Sequence, residues 1–312
     1  MAEPKLRFRF REPEVDTNLP IVDGTVKVEG FEFELAQGPG EFDAWDCGFG
    51  ELVSSKALGA PYISIPAFPN RKFRLSYIYV NSAAGSERPR DLAGKRVGIM
   101  AWNNTAGIWA RGALQNYYEV DLTRIRWLTR NPDATPAAPG IRIERLPDGG
   151  NVDSMLVSGE IDAVIDPNVL PSITQRDPRV RRLFREYKTE EQTYFKQTGI
   201  FPISHVITLK QEFVDRHPEA PVALLKAYRE ARDVAFDHIQ GADPQILTVS
   251  WVSAAMDEQR AVMGDNYWPY NVVDNRRPLE AITEFAYQQG VTRQQLDYRS
   301  FFHSEAAALP GA

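Results

Sequence analysis

The chain has 312 residues, more than one hydrophobic core usually organises, so its length predicts two lobes. With 43% hydrophobic and 25% charged residues its composition is that of an ordinary globular protein. A formal net charge of −6 gives no electrostatic reason to expect nucleic acid or an anionic membrane as a partner.

Lys5 to Phe10 (KLRFRF) alternates apolar and charged residues as a strand does. The N-terminal region lacks the continuous apolar run of a signal peptide, and no later run reaches the length of a membrane span, so a cytoplasmic protein is expected. A single cysteine, Cys47, excludes an internal disulfide and a cysteine-built zinc site. Residues 26–35 repeat the strand alternation, residues 42–59 read as a short helix ending at Gly59, and residues 61–65 read as another strand. Phe68 to Arg74 is a proline-containing, cation-rich loop that leads into an apolar strand at Leu75 to Val80.

From Asp91 to about Gly199 strands and helices alternate. Strands are expected at 96–100, 124–129, 141–146 and 161–165, and helices at 104–118 and 151–159, with helical segments continuing to 198. That order predicts a βαβ lobe with a parallel sheet. Pro132 to Gly140, with three prolines, is an exposed loop. In the basic run Arg176 to Lys188, the spacing of Leu183, Phe184 and Tyr187 predicts one face of a helix. A second apolar strand, Ile203 to Leu209, precedes helices at 210–216, at 219–239 and beyond 244. The natural topology has one lobe of residues 1–80 and 206–312, with 81–205 inserted as the other. Leu75–Val80 and Ile203–Leu209 would be the crossing strands of a hinge, and the cleft would lie between the lobes.

Asn103, Asn104 and Thr105 are N-cap residues for the helix after the strand at 96–100, and a helix start at the carboxyl end of a parallel strand is a natural seat for an anion. The piece Asp91-Leu-Ala-Gly-Lys-Arg-Val-Gly-Ile99, its capped helix, and Leu156-Val-Ser-Gly-Glu-Ile-Asp-Ala-Val-Ile165 together resemble the type II periplasmic-binding-protein fold. More specific are Pro66 to Arg74 (PAFPNRKFR), Tyr194 to His205 (YFKQTGIFPISH) and Met263 to Leu279 (MGDNYWPYNVVDNRRPL), which resemble the 4,5-dihydroxyphthalate decarboxylase family over nearly the whole chain, from about residue 20 to residue 303. The chain departs from that family's pattern at Ala101-Trp102, at Leu75 and at Asp46 to Glu51. The resemblance implies an α/β enzyme on a two-lobed binding-protein scaffold that converts 4,5-dihydroxyphthalate to protocatechuate and carbon dioxide.

Such a decarboxylation needs a proton delivered to the ring carbon that bears the carboxylate, a group to stabilise phenolate, and cations for the spectator carboxylate. His205 is the expected acid, with Asp46 and Asp166 able to orient it or bind a catechol hydroxyl. Arg71 and Arg74 are the expected carboxylate clamps, Asn103, Asn104 and Thr105 would supply donors, and Trp102 and Trp268 could stack on the ring. No paired metal-ligand spacing or dinucleotide fingerprint is present, so neither metal nor cofactor is expected. The expected partner is a small aromatic carboxylate, and Tyr267, Trp268 and Tyr270 offer an exposed aromatic face for a homodimer. Two other functions compatible with the same scaffold are an aromatic-acid solute-binding protein and a different lyase.

Overall fold

The N-terminal alternation forms strand β1 (Lys5–Arg9), which turns Leu6 and Phe8 into the core. The computed structural model describes residues 3–12, 14–36, 41–132, 134–240 and 248–311. Residues 244–247, where the last helical stretch was expected to start, lie outside the described residues. The further strands are β2 (Glu32–Leu35), β3 (Ala44–Gly48), β4 (Tyr62–Ser64), β5 (Ile78–Asn81), β6 (Arg96–Ile99), β7 (Arg126–Thr129), β8 (Arg142–Arg145), β9 (Ala163–Ile165), β10 (Val180–Arg182) and β11 (His205–Lys210). The helices are α1 (Leu19–Val22), α2 (Phe49–Ala57), α3 (Thr105–Asn116), α4 (Val152–Ser158), α5 (Pro171–Thr174), α6 (Tyr187–Thr198), α7 (Gln211–Arg216), α8 (Ala220–Gln240), α9 (Val252–Met263), α10 (Arg276–Gln288) and α11 (Ser304–Ala308).

Two sheets divide these strands, in the orders β2-β1-β3-β11-β4 and β10-β5-β9-β6-β7-β8. In the first, β2, β1 and β3 run parallel and β11 runs antiparallel to β3 and β4. In the second, β9, β6, β7 and β8 run parallel, and β5 and β10 close one edge antiparallel. This is the two-lobed α/β architecture expected, with both sheets flanked by helices. No helix among the described residues is long and apolar enough to cross a membrane.

Several elements differ locally from the sequence expectation. Of residues 26–35 only Glu32–Leu35 form a strand, because Gly30 takes a left-handed turn at φ +79°. Residues 42–59 divide into a fully buried strand, β3, and helix α2, which puts Asp46 inside a central strand rather than at a strand–loop junction. The basic run is not one helix face: Pro178 cannot sit in a helix interior, and Val180–Arg182 instead pair with β5 before α6 begins. Leu75–Tyr77 is a single 3₁₀ turn, and β5 beyond it already belongs to the second sheet, while β11 belongs wholly to the first. The chain therefore passes between the sheets at 65–77 and 183–204. There the two passages pair through an antiparallel bridge between Arg71 and Ile203, extended by the Lys72 amide on the Pro202 carbonyl at 3.2 Å.

The C-terminal helix α10 packs against both α2 and α3. Gly112 makes this possible, since a Cβ there would fall 2.0 Å from the Phe285 ring. On α3, Trp109 meets Phe285 edge-on at 5.8 Å and donates its indole N–H to the Ile203 carbonyl at 2.7 Å, so that α3 is tied to a crossing segment. The aromatic residues after 263 do not form the exposed face expected: Tyr267 and Tyr270 are buried, and half-buried Trp268 donates to the Phe68 carbonyl. That removes the sequence argument for a homodimer.

Candidate active site

In open α/β sheets ligands collect at the carboxyl ends of the parallel strands, and here two such edges face each other. From the first sheet come the residues after β1 and the end of β3, and from the second the turn between β6 and α3. The edges touch where the Gly50 amide donates to Thr105 Oγ1 at 2.9 Å. Gly50 is required for this approach, because a Cβ there would lie 2.3 Å from the Asn103 carbonyl oxygen. Beside the contact is a hollow of about 250 Å³ lined by Arg11, Gly48, Glu51, Asn103, Asn104 and Thr105. That volume lies near the small end of ligand pockets, suited to a compact acid.

At the edge of the first sheet, β11 pairs antiparallel with β3, setting His205 opposite Gly48 and Ile207 opposite Asp46. Directly paired residues share a face, and so do residues two apart, so this register brings Asp46 and His205 onto one side of the sheet. His205 Nδ1 stands 2.9 Å from Asp46 Oδ1, with the ring N–H not aligned for a hydrogen bond. Both Asp46 oxygens are buried and accept no hydrogen bond among the described residues. A buried carboxylate left in this state is costly unless a compensating group faces it, and the His205 imidazole is the group that stands against it.

Arg74 reaches the same end of the strand from the crossing segment. Its Nη2 donates to Ser204 Oγ at 2.5 Å, next to His205, and its Nη1 to the Pro167 carbonyl at 3.2 Å, next to Asp166. Burial lowers the Arg74 pKa to about 10, which leaves it a cation at neutral pH. Asp166 follows β9 and accepts the Asn168 amide at 2.9 Å, and burial raises its carboxyl above the ordinary range. Glu12 reaches the crossing as well, accepting from Asn70 Nδ2 at 2.6 Å, while the Asn70 carbonyl accepts the Ser204 and His205 amides.

The structure thus brings His205 together with Asp46, Arg74 with Asp166, and Asn103, Asn104 and Thr105 around the hollow. Asn104 caps α3 by accepting the Gly107 amide at 3.2 Å, as its residue type predicts. Three expected site residues are engaged elsewhere. Arg71 is buried, donating to Asn275 Oδ1 and to the Phe201 carbonyl, both at 2.7 Å, with its guanidinium over the Phe201 ring. Trp102 is buried between Arg111, 3.8 Å over its ring, and the edge of Trp127, and it donates to the Gln289 carbonyl. Trp268 stands edge-on to Phe201 at 5.4 Å. All three hold the C-terminal segment onto the rest of the chain. Sequence reasoning missed Arg11, Glu51 and Ser204, although Arg11 ends the alternating run at the carboxyl end of β1 and so carried a positional signal.

The chain is 28% identical to a 4,5-dihydroxyphthalate decarboxylase of Comamonas testosteroni over 319 residues, covering 96% of this chain and 97% of that protein. It is 31% identical to a 4,5-dihydroxyphthalate decarboxylase of Pseudomonas putida over 189 residues, covering 54% of this chain and 72% of that protein. The chain belongs to the 4,5-dihydroxyphthalate decarboxylase family. No family model matches it. Among solved structures, this family member superposes on the periplasmic sulfonate-binding protein SsuA of Methylobacillus flagellatus KT with a TM-score of 0.59 at 14% identity, covering 99% of this chain and 94% of that one. It also superposes on the desulfurization enzyme DSZB with a TM-score of 0.51 at 14% identity, covering 97% and 98%. At these identities the likeness is one of fold: the decarboxylase family member has the two-lobed binding-protein scaffold.

Proposed function

We propose that the protein is a carboxy-lyase acting on 4,5-dihydroxyphthalate, with the interlobe seam as its active site. The observation that carries this reading is the buried His205–Asp46 pair, with a buried cation, Arg74, bonded to Ser204 next to His205. Binding alone does not call for an imidazole held against an otherwise unpartnered carboxylate. Proton transfer does.

In the reaction, a ring carbon takes a proton from His205 while the bond from that carbon to its carboxylate breaks. The bonding pair returns to the ring, and carbon dioxide leaves. Asp46 stabilises the imidazolium before transfer and holds the ring orientation. Electron density for protonation comes from the hydroxyl para to the departing group. Asp166, with its raised pKa, takes the proton of that hydroxyl as density moves into the ring and returns it as carbon dioxide leaves, and Arg74 stabilises the intervening phenolate oxygen. This assigns Arg74 to the catechol end rather than to a carboxylate, because the Asp166 carboxylate beside it repels a second one. His205 regains its proton from solvent, so the net reaction consumes one proton per turnover.

The same proposal takes the segments before residue 65 and from residue 205 onward as one lobe and residues 78–182 as the other, hinged at the Arg71–Ile203 bridge, in a cytoplasmic enzyme. The expected boundaries at 80 and 205 move because β5 lies in the second sheet and His205 begins β11 in the first. The test is carbon dioxide release and loss of substrate absorbance when purified protein meets 4,5-dihydroxyphthalate, compared with His205→Gln. Turnover by the parent and its loss in the variant is the expected result. Tight binding without turnover would overturn the reading in favour of a solute-binding protein.

A further inference from the structure

We infer that Arg11 is the residue that reads the retained carboxylate of the substrate, and that Glu51 is an internal occupant of its guanidinium which the substrate displaces. The inference rests on the decarboxylase reading of the seam and adds the source of its specificity for a vicinal dicarboxylate.

Arg11 leaves the carboxyl end of β1 and reaches over Gly48 to the first turn of α2, where its Nη2 lies 2.6 Å from Glu51 Oε2. Gly48 is the floor of this arrangement. A Cβ there would stand 3.4 Å from Thr105 Oγ1 and 3.5 Å from Arg11 Nη1, so the hydroxyl and the guanidinium converge over its backbone. Gly48 is also the cross-strand partner of His205, which makes the guanidinium and the imidazole neighbours on one sheet edge. Arg74 stands apart from this group, held between Ser204 and Pro167.

Two considerations assign the retained group to Arg11. A cation clamped on the departing carboxylate would stabilise the ground state and lose its partner as neutral carbon dioxide forms, so productive cations sit on charges that persist. Arg11 is the cation lining the hollow, and Thr105 and Asn104 beside it bring a hydroxyl and a carboxamide that can donate to the same anion. The Arg11 and Glu51 side chains are 49% and 47% exposed, so their ion pair is weak and exchangeable. A substrate carboxylate offers the fork two oxygens in one plane and replaces Glu51 without leaving a buried charge, since Glu51 swings to water.

The experiment measures KM and kcat for 4,5-dihydroxyphthalate, and calorimetric Kd values for the product 3,4-dihydroxybenzoate and for catechol, in the parent, Arg11→Met and Glu51→Gln. For Arg11→Met the expected result is a rise of about tenfold or more in both the substrate KM and the product Kd, with catechol binding and kcat little changed. Glu51→Gln is expected to tighten product binding several-fold, because the competitor has lost its charge. An unchanged product Kd in Arg11→Met, or catechol weakened equally, would overturn the assignment, as would weaker product binding in Glu51→Gln. Because the calorimetric arm needs no turnover, absence of decarboxylation in the parent would strike the proposed activity while leaving the test of Arg11 intact.

Discussion

His205 Nδ1 lies 2.9 Å from Asp46 Oδ1, across a strand pair whose register sets His205 opposite Gly48 and Ile207 opposite Asp46. The proposed acid and its proposed orienting group come from positions far apart in sequence, and the antiparallel pairing of β11 with β3 makes them neighbours. Removing the imidazole should lower kcat by about 10²- to 10⁴-fold in His205→Gln while changing product affinity little. Asp46→Asn should lower kcat more than it changes KM, because the amide cannot compensate an imidazolium. Steady-state rates with 4,5-dihydroxyphthalate check both, and wild-type rates in either variant would remove the pair from the chemistry.

The two arginines of the Phe68–Arg74 segment should separate cleanly. Arg74→Met is expected to reduce kcat/KM by about 10²-fold through loss of a buried cation at the phenolate oxygen. Arg71→Met leaves Asn275 Oδ1 without its donor, so it should cost about 1–3 kcal/mol of stability with KM unchanged in the folded fraction. Urea unfolding alongside kinetics distinguishes these outcomes; a KM effect in Arg71→Met would return that residue to the site.

Closure of the seam depends on the bare α-carbon of Gly50. Gly50→Ala places a methyl 2.3 Å from a backbone oxygen that cannot rotate away, so the two edges must part. The expected cost is about 1–3 kcal/mol in unfolding free energy, with a loss of kcat/KM larger than that destabilisation explains. Thr105→Val removes both the acceptor of the Gly50 amide and the hydroxyl offered to the retained carboxylate, so it should cost about 1–2 kcal/mol of stability and raise KM as well. Wild-type kcat/KM in Gly50→Ala would show that catalysis does not need the edges in contact.

Glu191 is buried on α6 and accepts both the Ser76 amide and hydroxyl, at 2.8 and 2.7 Å. Burial is the largest influence on its carboxyl and raises the pKa above the ordinary value. A raised folded-state pKa means the native protein holds its proton longer than the unfolded chain does. The resulting stability is fully present below the unfolded pKa and is lost as pH rises through the folded one. Glu191→Gln should therefore flatten the fall in melting temperature across that mildly acidic window, and a slope equal to the parent's would exclude Glu191 as its source.

Much of this protein was legible in one dimension. The alternation of KLRFRF, the strand and capped helix around Val97 to Leu114, and the Gly159 helix stop are local signals: backbone propensity, side-chain period and capping act within a few residues, so they survive in the bare sequence. The family pieces around Arg74, His205 and Trp268 were equally visible. What sequence could not supply was which of these side chains face the cleft. Arg71, Trp102 and Trp268 have the right chemistry for a ligand and are instead packed against Asn275, Arg111 and Phe201, partners contributed by distant segments.

The sequence by itself determined the class of fold, the alternation of the inserted lobe, the cap at Asn104 and the candidate acid at His205. Tertiary structure alone decided that Asp46 is that acid's partner, that Arg74 stands with Asp166, and that Arg11 with Glu51 closes the hollow. The physical reason is that strand register and the approach of Gly50 to Asn103 are set by packing between segments more than fifty residues apart, and no local propensity encodes such distances.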